Sequence, residues 1–371
     1  MKTTRISKFV AILLAIAMLL CLPHVEVSAK EVTSEPFELP INGATGFACE
    51  GFYLRSKPDV ATNLQVVLPG TAFTLLEESG EYLKVVLEDG TEGYANKNSV
   101  MINLPDVIPS IVYECINSKE AMFKSSRKAL PEITGNMLYN VTAKNPRFGD
   151  EEQYVMPILY PTALKIQAAQ TEALENGDCL KIYETYRPYE TQKAVSASFY
   201  KLIIADKAVR DAINTAPWSM GWFIAQNLSN HQRGVAMDCS LVKVKESETK
   251  KLANRYEYLV VTSYTEYRMP TKMHELSPAA KTFENPFLPS RADGWKEGIL
   301  SSGMLSCEGA QKLQQYCTNQ GLSPLPSEWW HFEDRSVTSY GLGKFFLLNG
   351  NQTDEDGNFL EVANVTSKIP N

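Results

Sequence analysis

The clearest periodic pattern in the chain lies between residues 82 and 95. Leu83, Val85 and Leu87 alternate with the other residues of their segment, which is the period of a half-buried β-strand. Asp89-Gly90 is typical of a two-residue hairpin turn, after which residues 91–95 can return antiparallel. Two earlier segments with turn residues around them, 51–55 and 65–68, indicate further short strands. This spacing predicts a small all-β barrel over residues 46–103.

The pattern changes after a segment that we interpret as a linker, Leu104–Pro109, which contains two prolines. Pro161–Asn176 predicts a helix followed by Gly177, and Leu180 and Ile182 predict a strand that ends at residues 186–188. Residues 190–209 predict a second helix. A third helix is expected to begin at the cap Ser306, to end at Gly321 and to bury one face, formed by Ala310, Leu313, Tyr316 and Cys317.

Helices and strands without regular βαβ alternation favour an α+β class for residues 111–345. The chain is therefore expected to contain an α+β domain preceded by the small barrel. Residues 30–45 are predicted to be an unstructured lead-in, and residues 346–371 a frayed C-terminal tail rich in Asn, Asp and Gly.

The first 29 residues are typical of an export signal. Three basic residues precede the apolar run Phe9–Leu22, and small residues at 27–29 offer a cleavage site. The run is shorter than the roughly 20 residues that span a bilayer as a helix. An uncleaved anchor is the alternative. We therefore expect a secreted, extracytoplasmic protein with no stable membrane span once the signal is removed.

Composition narrows the possible functions. The length of 371 residues suggests two or three domains. With 44% hydrophobic and 21% charged residues, the chain has enough apolar sequence for a buried core. The net charge of −7 argues against a nucleic-acid partner, because phosphate contacts need a basic surface. The sequence contains no C-x-x-C pair, so a structural zinc ribbon is not expected. Cys307 and Cys317, on one predicted helix about 15 Å apart, should not form a disulfide.

Two short segments about ninety residues apart contain most of the candidate chemistry. The first is Ser-Asn-His-Gln-Arg-Gly-Val-Ala-Met-Asp at 229–238, and the second is Glu-Trp-Trp-His-Phe at 328–332. A catalytic zinc ion takes three nitrogen or oxygen ligands and keeps one position for water. His231, Asp238 and His331 can supply these three ligands to one Zn²⁺ ion. Glu328 then remains as a base for the water, and the small residues Gly234 and Ala236 would let the backbone pack close to the metal.

The predicted strand at 325–332 raises a geometric difficulty. In a regular strand, Glu328 and His331 point to opposite faces. They can serve one site only if the strand twists or bulges between them, or if the segment is a helical turn.

The paired motifs resemble those of the zinc D-alanyl-D-alanine peptidases, which comprise D,D-carboxypeptidases and D-Ala-D-Ala dipeptidases. The resemblance spans about residues 150–335. It implies His231, Asp238 and His331 as zinc ligands and Glu328 as catalytic base. It also implies a role for Arg187, within Tyr-Arg-Pro at 186–188, in stabilising the oxyanion that develops on the attacked carbonyl. The chain departs from the family at Cys239, where an apolar or small residue is expected, and over residues 243–305.

Residues 46–103 resemble the bacterial SH3-like domains that accompany secreted cell-wall enzymes. The resemblance is carried by Tyr-Leu-Arg-Ser at 53–56, by residues 77–85 and by Asp-Gly-Thr-Glu-Gly-Tyr at 89–94. It implies association with the cell wall, with a structural spacer as the alternative. The segment has eight acidic and four basic residues, so contact with wall polymers would depend on aromatic side chains such as Tyr53 and Tyr94.

The resemblances together imply a zinc peptidase that acts on peptidoglycan peptides ending in D-Ala-D-Ala. Two alternatives use the same fold: an L,D- or D,L-endopeptidase of the cell wall, and a non-catalytic wall-binding protein. The latter predicts a lost ligand or base, yet all five positions are filled. A third alternative is a serine D,D-peptidase, since Ser125-x-x-Lys128 fits its nucleophile motif, but no Lys-Thr-Gly follows. His274 matches no position of the zinc motifs and is not expected to be a ligand.

Overall fold

The computed structural model describes residues 36–58, 62–115, 121–133, 142–226, 228–338 and 365–371. The export signal predicted at residues 1–29, the last residues of the predicted α+β domain (339–345) and most of the predicted tail (346–364) lie outside these ranges. The strands are β1 (Thr45–Ala48), β2 (Phe52–Arg55), β3 (Asn63–Val67), β4 (Ala72–Ser79), β5 (Tyr82–Val86), β6 (Glu92–Asn96), β7 (Val100–Asn103), β8 (Val112–Tyr113), β9 (Lys124–Ser125), β10 (Lys128–Ala129), β11 (Thr142–Asn145), β12 (Glu151–Tyr154), β13 (Pro157–Leu159), β14 (Asp178–Glu184), β15 (Ala236–Leu252), β16 (Tyr256–Glu266), β17 (Ser323–Leu325) and β18 (Glu328–Glu333).

The helices within the same ranges are α1 (Leu104–Val107), α2 (Tyr160–Glu175), α3 (Tyr189–Ala205), α4 (Lys207–Ile213), α5 (Met220–Phe223), α6 (Ser302–Leu305), α7 (Glu308–Asn319) and α8 (Arg335–Thr338). The predicted helix at 161–176 and its closing Gly177 (φ +73°) are confirmed within one residue. The predicted helix at 190–209 is in fact two helices, because the side chain of Asp206 accepts from the backbone N–H groups of Ala208 and Val209 and starts α4. The four apolar residues of the predicted third helix are buried in α7, whose N-cap is Cys307 rather than Ser306.

The N-terminal strands form one antiparallel sheet in the order β13-β7-β1-β4-β5-β6-β2-β3. The hairpin predicted at Asp89-Gly90 joins β5 to β6, and Leu83 and Val85 are fully buried as their alternation predicts. The outermost strand, β13, comes from residues 157–159 and pairs with β7. The first sheet therefore extends beyond residues 46–103 and is continuous with the chain that follows.

The second sheet has the order β17-β18-β15-β14-β8, and β16 pairs with β15 to form a long hairpin. The pairs β14–β15 and β15–β18 are antiparallel, whereas β14–β8 is parallel. Helices α2 and α7 contact this sheet through β14 and β15. Cys239 of β15 is fully buried beside Cys317 of α7, so the unexpected cysteine after Asp238 is a core residue. Cys307 and Cys317 are separate thiols, as predicted.

Three segments that were predicted to lie outside the core are instead packed against the rest of the protein. Residues 36–44 have no regular secondary structure, but Phe37, Leu39 and Ile41 are buried. The predicted linker begins with the helical turn α1, all of whose residues are buried. Proline is compatible with the first turn of a helix, which explains why Pro105 does not prevent it. Residues 365–371, predicted to fray, also pack, since Ser367 is 2% exposed.

Asp106 connects these segments. Its buried carboxylate accepts hydrogen bonds from the backbone N–H of Thr45 (2.8 Å), from the side-chain amides of Asn103 (3.1 Å) and Asn145 (2.6 Å), and from the hydroxyl of Ser367 (2.7 Å). Four donors, three of them distant in the sequence, thus satisfy one buried carboxylate, as burial of such a group requires. Among the residues that the structure describes, no helix is both long enough and apolar enough to cross a bilayer.

Candidate metal centre and cavity

Three side chains lie in one row across the middle of the second sheet. Asp238 on β15 is paired in register with His331 on β18 and, on its other side, with Glu184 on β14. Residues directly opposite on neighbouring strands place their side chains on the same face of a sheet. An irregularity between Ile182 and Glu184 adjusts the end of β14. The row brings together residues that are far apart in the sequence.

His231 reaches this row from the turn that precedes β15. Its Nδ1 lies 2.6 Å from the backbone carbonyl of Thr185, so this nitrogen carries the proton and Nε2 is left with a lone pair. Gly234 closes the turn at φ +68°, and a Cβ there would lie 2.4 Å from Cε of Met101. The glycine is therefore required by the left-handed backbone and by packing against Met101, not by closeness to the metal site as predicted.

The three predicted ligands present their donor atoms to one another. Oδ1 of Asp238 lies 3.0 Å from Nδ1 of His331 and 3.4 Å from Nε2 of His231, and the two nitrogens are 3.2 Å apart. All three residues are at least 95% buried. Atoms bound tetrahedrally to zinc at about 2.0–2.1 Å lie about 3.3–3.4 Å apart. The buried group can thus hold a metal ion, and its donors and spacing fit zinc.

The other oxygen of Asp238, Oδ2, accepts two hydrogen bonds on the far side of the carboxylate. One comes from Nη2 of Arg187 (3.3 Å) and the other from Nε2 of His274 (2.9 Å). Arg187 also donates through Nε and Nη2 to the two oxygens of Glu184, and through Nη1 to Gln192. Asp238 therefore has one oxygen for a metal and one that is held by the protein.

Glu328 lies next to the predicted ligands despite its odd spacing from His331. Its Oε2 is 3.9 Å from Nδ1 of His331. The pairing of β17 with β18 is interrupted there, because Pro324 pairs with Phe332 and the next residue, Leu325, pairs with Glu328. A bulged strand does not keep the alternation of a regular one. Of the possibilities that the sequence left open, the structure thus shows an irregular strand.

Glu333 lies near the ring nitrogen of His331 that faces away from Asp238. Its Oε2 lies 3.8 Å from Nε2 of His331 and also accepts from the side-chain amide of Asn230, while its Oε1 accepts from Arg335 (2.6 Å). A carboxylate on the far nitrogen fixes the orientation of a metal-binding imidazole. The sequence offered no signal for Glu333, which directly follows the motif.

The charges of the group favour a divalent cation. The buried site contains three carboxylates, on Glu184, Asp238 and Glu328, and Arg187 supplies one positive charge. Burial lowers the pKa of His231, so its imidazole is neutral. With His331 neutral as well, two negative charges remain uncompensated, and an ion of charge +2 would balance them. Buried charges require such compensation.

Without a metal ion, bound protons compensate the negative charges of the site. Burial alone lowers the pKa of His331, but the hydrogen bond to Asp238 and the nearby carboxylate of Glu333 outweigh burial and raise this pKa to about 10. Burial raises the pKa of Glu328. At neutral pH, the metal-free site is therefore expected to be protonated on His331 and on Glu328.

A cavity of about 310 Å³ opens onto the group. It is lined by Arg187, Glu328, His231, Asp238, His331 and His274, together with the aromatic wall formed by Phe123, Trp222, Phe223 and Trp330. This volume is at the lower end of the range for small-ligand sites. Trp330 is a wall of the cavity and Trp329 is buried behind it, where its Nε1 donates to Thr271 (2.9 Å). The five predicted site residues thus all line one cavity.

The serine-peptidase alternative finds no support in the structure. The Ser125 hydroxyl is buried and donates to the backbone carbonyl of Leu276 (2.9 Å). Lys128 forms an ion pair with Asp206. A serine nucleophile needs a base within hydrogen-bond reach, and Lys128 is turned to another partner.

Comparisons with known proteins do not identify the chain. No protein-family model matches it, and no curated protein matches it. The geometry of the site and the sequence motifs are therefore the basis on which a function can be inferred.

Proposed function

We propose that this protein is a secreted zinc D,D-peptidase that hydrolyses the bond between the two terminal D-alanines of peptidoglycan stem peptides, as a carboxypeptidase or dipeptidase. The observation that carries the proposal is the triangle of donor atoms from His231, Asp238 and His331, with sides of 3.0–3.4 Å. The carboxylate of Glu328 lies beside this triangle and is not one of its three donors. Two imidazoles and one carboxylate form a ligand set that is typical of catalytic zinc. The substrate class comes from the motif resemblance described above.

The residues have distinct roles in this proposal. A zinc ion bound by the three ligands would supply an activated water and polarise the scissile carbonyl. Glu328 accepts the proton of the attacking water and later delivers a proton to the leaving amine. Arg187 stabilises the negative charge on the tetrahedral intermediate from its place in the cavity wall, where its bonds to Glu184 and Gln192 hold the guanidinium in position.

The N-terminal sheet has a separate role in the proposal. We infer that the SH3-like segment places the enzyme at the cell wall, through aromatic contacts rather than charge. Tyr53 is 58% exposed on β2, which fits such a surface. The peptidase activity does not depend on this second inference.

The deciding experiment compares two substrates. Purified mature protein is incubated with D-Ala-D-Ala and with a pentapeptide ending in D-Ala-D-Ala, each with and without a chelator. We expect release of D-alanine that stops with the chelator, returns with added zinc and is unaffected by a β-lactam. Sensitivity to β-lactam without sensitivity to the chelator would contradict the proposal. Mass spectrometry of digested muropeptides separates loss of one alanine from scission of cross-links, which an endopeptidase would produce.

Zinc binding itself is expected to release protons. A metal ligand must give up its proton, and the pKa of His331 is raised to about 10 in the metal-free site. At least one proton should therefore leave per zinc ion at pH 7, and the affinity should rise at least about tenfold per pH unit between pH 6 and 9. Calorimetry in two buffers of different protonation enthalpy measures this number. A zinc affinity that is independent of pH would contradict the expected protonation of His331.

A further inference from the structure

His274 is the one histidine of the described residues that the two motifs do not include, and it occupies a constrained position. It is 1% exposed and has a left-handed backbone, with φ +56°. Its ring stacks on that of Phe123, with centroids 4.5 Å apart and planes 7° apart. A non-glycine residue with positive φ persists only where its surroundings hold it there.

The loop that carries His274 is anchored to the short hairpin β9–β10. The backbone N–H of Lys124 donates to the carbonyl of His274 (3.1 Å), and the N–H of Leu276 donates to the carbonyl of Lys124 (2.7 Å). The backbone is thus held at His274 and at Leu276, and the imidazole is held by the ring of Phe123. Its direction is set by the fold and not by the metal group.

The hydrogen-bond partners of the ring fix its tautomer. Nε2 lies 2.9 Å from Oδ2 of Asp238 and 3.5 Å from Oε2 of Glu184, and ionised carboxylates only accept. The proton is therefore on Nε2. Nδ1 is buried with no hydrogen-bond partner among the described atoms, which suits a lone pair better than a second N–H. His274 is consequently a donor to Asp238.

A second metal ion is the competing explanation, because Glu184, Asp238 and His274 also lie close enough to share an ion. The guanidinium of Arg187, however, already donates to both oxygens of Glu184 and to Oδ2 of Asp238. A metal ion would have to displace these bonds and would lie against a fixed positive charge. The arrangement favours one metal ion, with Arg187 in the place of a second.

We propose that His274 is a positioning residue for the metal ligand Asp238. Its Nε2–H and Nη2 of Arg187 hold Oδ2, so that the carboxylate cannot rotate and Oδ1 stays turned toward His231 and His331. The inference rests on the proposed metal centre and adds to it a residue that the motifs do not contain. Groups that orient metal ligands typically change metal affinity 10–100-fold when they are removed.

Three substitutions separate the hydrogen bond from packing. His274→Phe keeps a ring on Phe123 but has no donor. His274→Gln keeps a donor at a reach similar to that of Nε2, whereas the amide of His274→Asn is too short to reach Oδ2. None of the three introduces a glycine, and Asn tolerates the positive φ of residue 274 at least as well as Gln or Phe, so backbone strain would not explain a weaker Asn variant. Zinc affinity is measured by competition with a chromogenic chelator, and the unfolding temperature of each metal-free variant reports its folding.

We expect one zinc ion per wild-type chain, a 10–100-fold loss of affinity in the Phe and Asn variants, and near wild-type affinity in the Gln variant. The visible spectrum of the cobalt(II)-substituted protein should change in the first two and be kept in the third. Equal affinity of the Phe variant and wild type would overturn the inference, as would a Gln variant as weak as Phe or two ions per wild-type chain.

The outcomes also separate this inference from the proposed function. If the Phe variant fails to fold, the contrast between the Asn and Gln variants decides. A wild-type protein that binds zinc but hydrolyses no D-alanyl peptide contradicts the proposed function and leaves the positioning role supported or overturned by the affinities alone. A wild-type protein that binds no zinc overturns both.

Discussion

Replacing Glu328 with Gln is expected to lower kcat about 10²–10⁴-fold while the zinc ion stays bound. The amide has nearly the same shape as the carboxylate but cannot accept a proton at neutral pH. Metal binding should persist because the ligand atoms belong to His231, Asp238 and His331, and Oε2 of Glu328 lies 3.9 Å from Nδ1 of His331. Zinc content and turnover measured on the same preparation test this expectation.

The unfolding temperature distinguishes a lost catalytic base from a variant that has lost activity because it no longer folds. Because burial raises the pKa of Glu328, the ionised carboxylate destabilises the metal-free fold as the pH rises through that pKa. The Gln variant should therefore unfold at the same temperature as wild type at low pH and at a higher one at alkaline pH. Glu266→Gln is a matched control, since Glu266 forms an ion pair with Lys181 and does not line the metal cavity. Full turnover in the Glu328 variant would contradict its role as base.

Periodic segments allowed the best predictions from sequence. The alternation around Leu83 and the signals at both ends of α2 are local, because each depends on residues within a few positions. The burial of the segment at 104–109 is not local. It depends on donors to Asp106 that come from residue 45 at one end of the chain and residue 367 at the other. Two prolines alone therefore indicated a linker where the structure has a buried turn.

In the candidate site, too, features that depend on neighbouring residues could be predicted, and features that depend on distant residues could not. Two motifs named the three ligand candidates and Glu328, but the sequence could not show how Glu328 and His331 share a site, since a bulge in β18 decides it. His274 was missed because it is a single histidine in an irregular segment. Its partners Asp238 and Phe123 are distant in sequence, and only the three-dimensional structure brings them into contact.

Replacing Asp238 with Asn is expected to lower zinc affinity at least about 100-fold, more than the removal of an orienting group does. The side-chain amide has one oxygen and one NH₂ group. If the oxygen faces the metal, the NH₂ group meets the N–H donors of Arg187 and His274; if it faces those donors, the NH₂ group meets the metal. Neither orientation satisfies both sides of the residue.

The loss can be measured as stability as well as affinity. A ligand at 1,000 times its Kd stabilises a protein by about 4 kcal/mol and at 10 times its Kd by about 1.4 kcal/mol, so the zinc concentration that raises the unfolding temperature of wild type should raise that of the Asn variant by no more than about a third as much. Asp178→Asn is the matched control, because this fully buried carboxylate of the adjacent strand accepts from Tyr267, Lys312 and Tyr316, away from the cavity. The control should be less stable without zinc and yet keep the full zinc-dependent rise. An Asp238 variant that also keeps this rise would show that the carboxylate is not a ligand, and the proposed metal centre would lose its central residue.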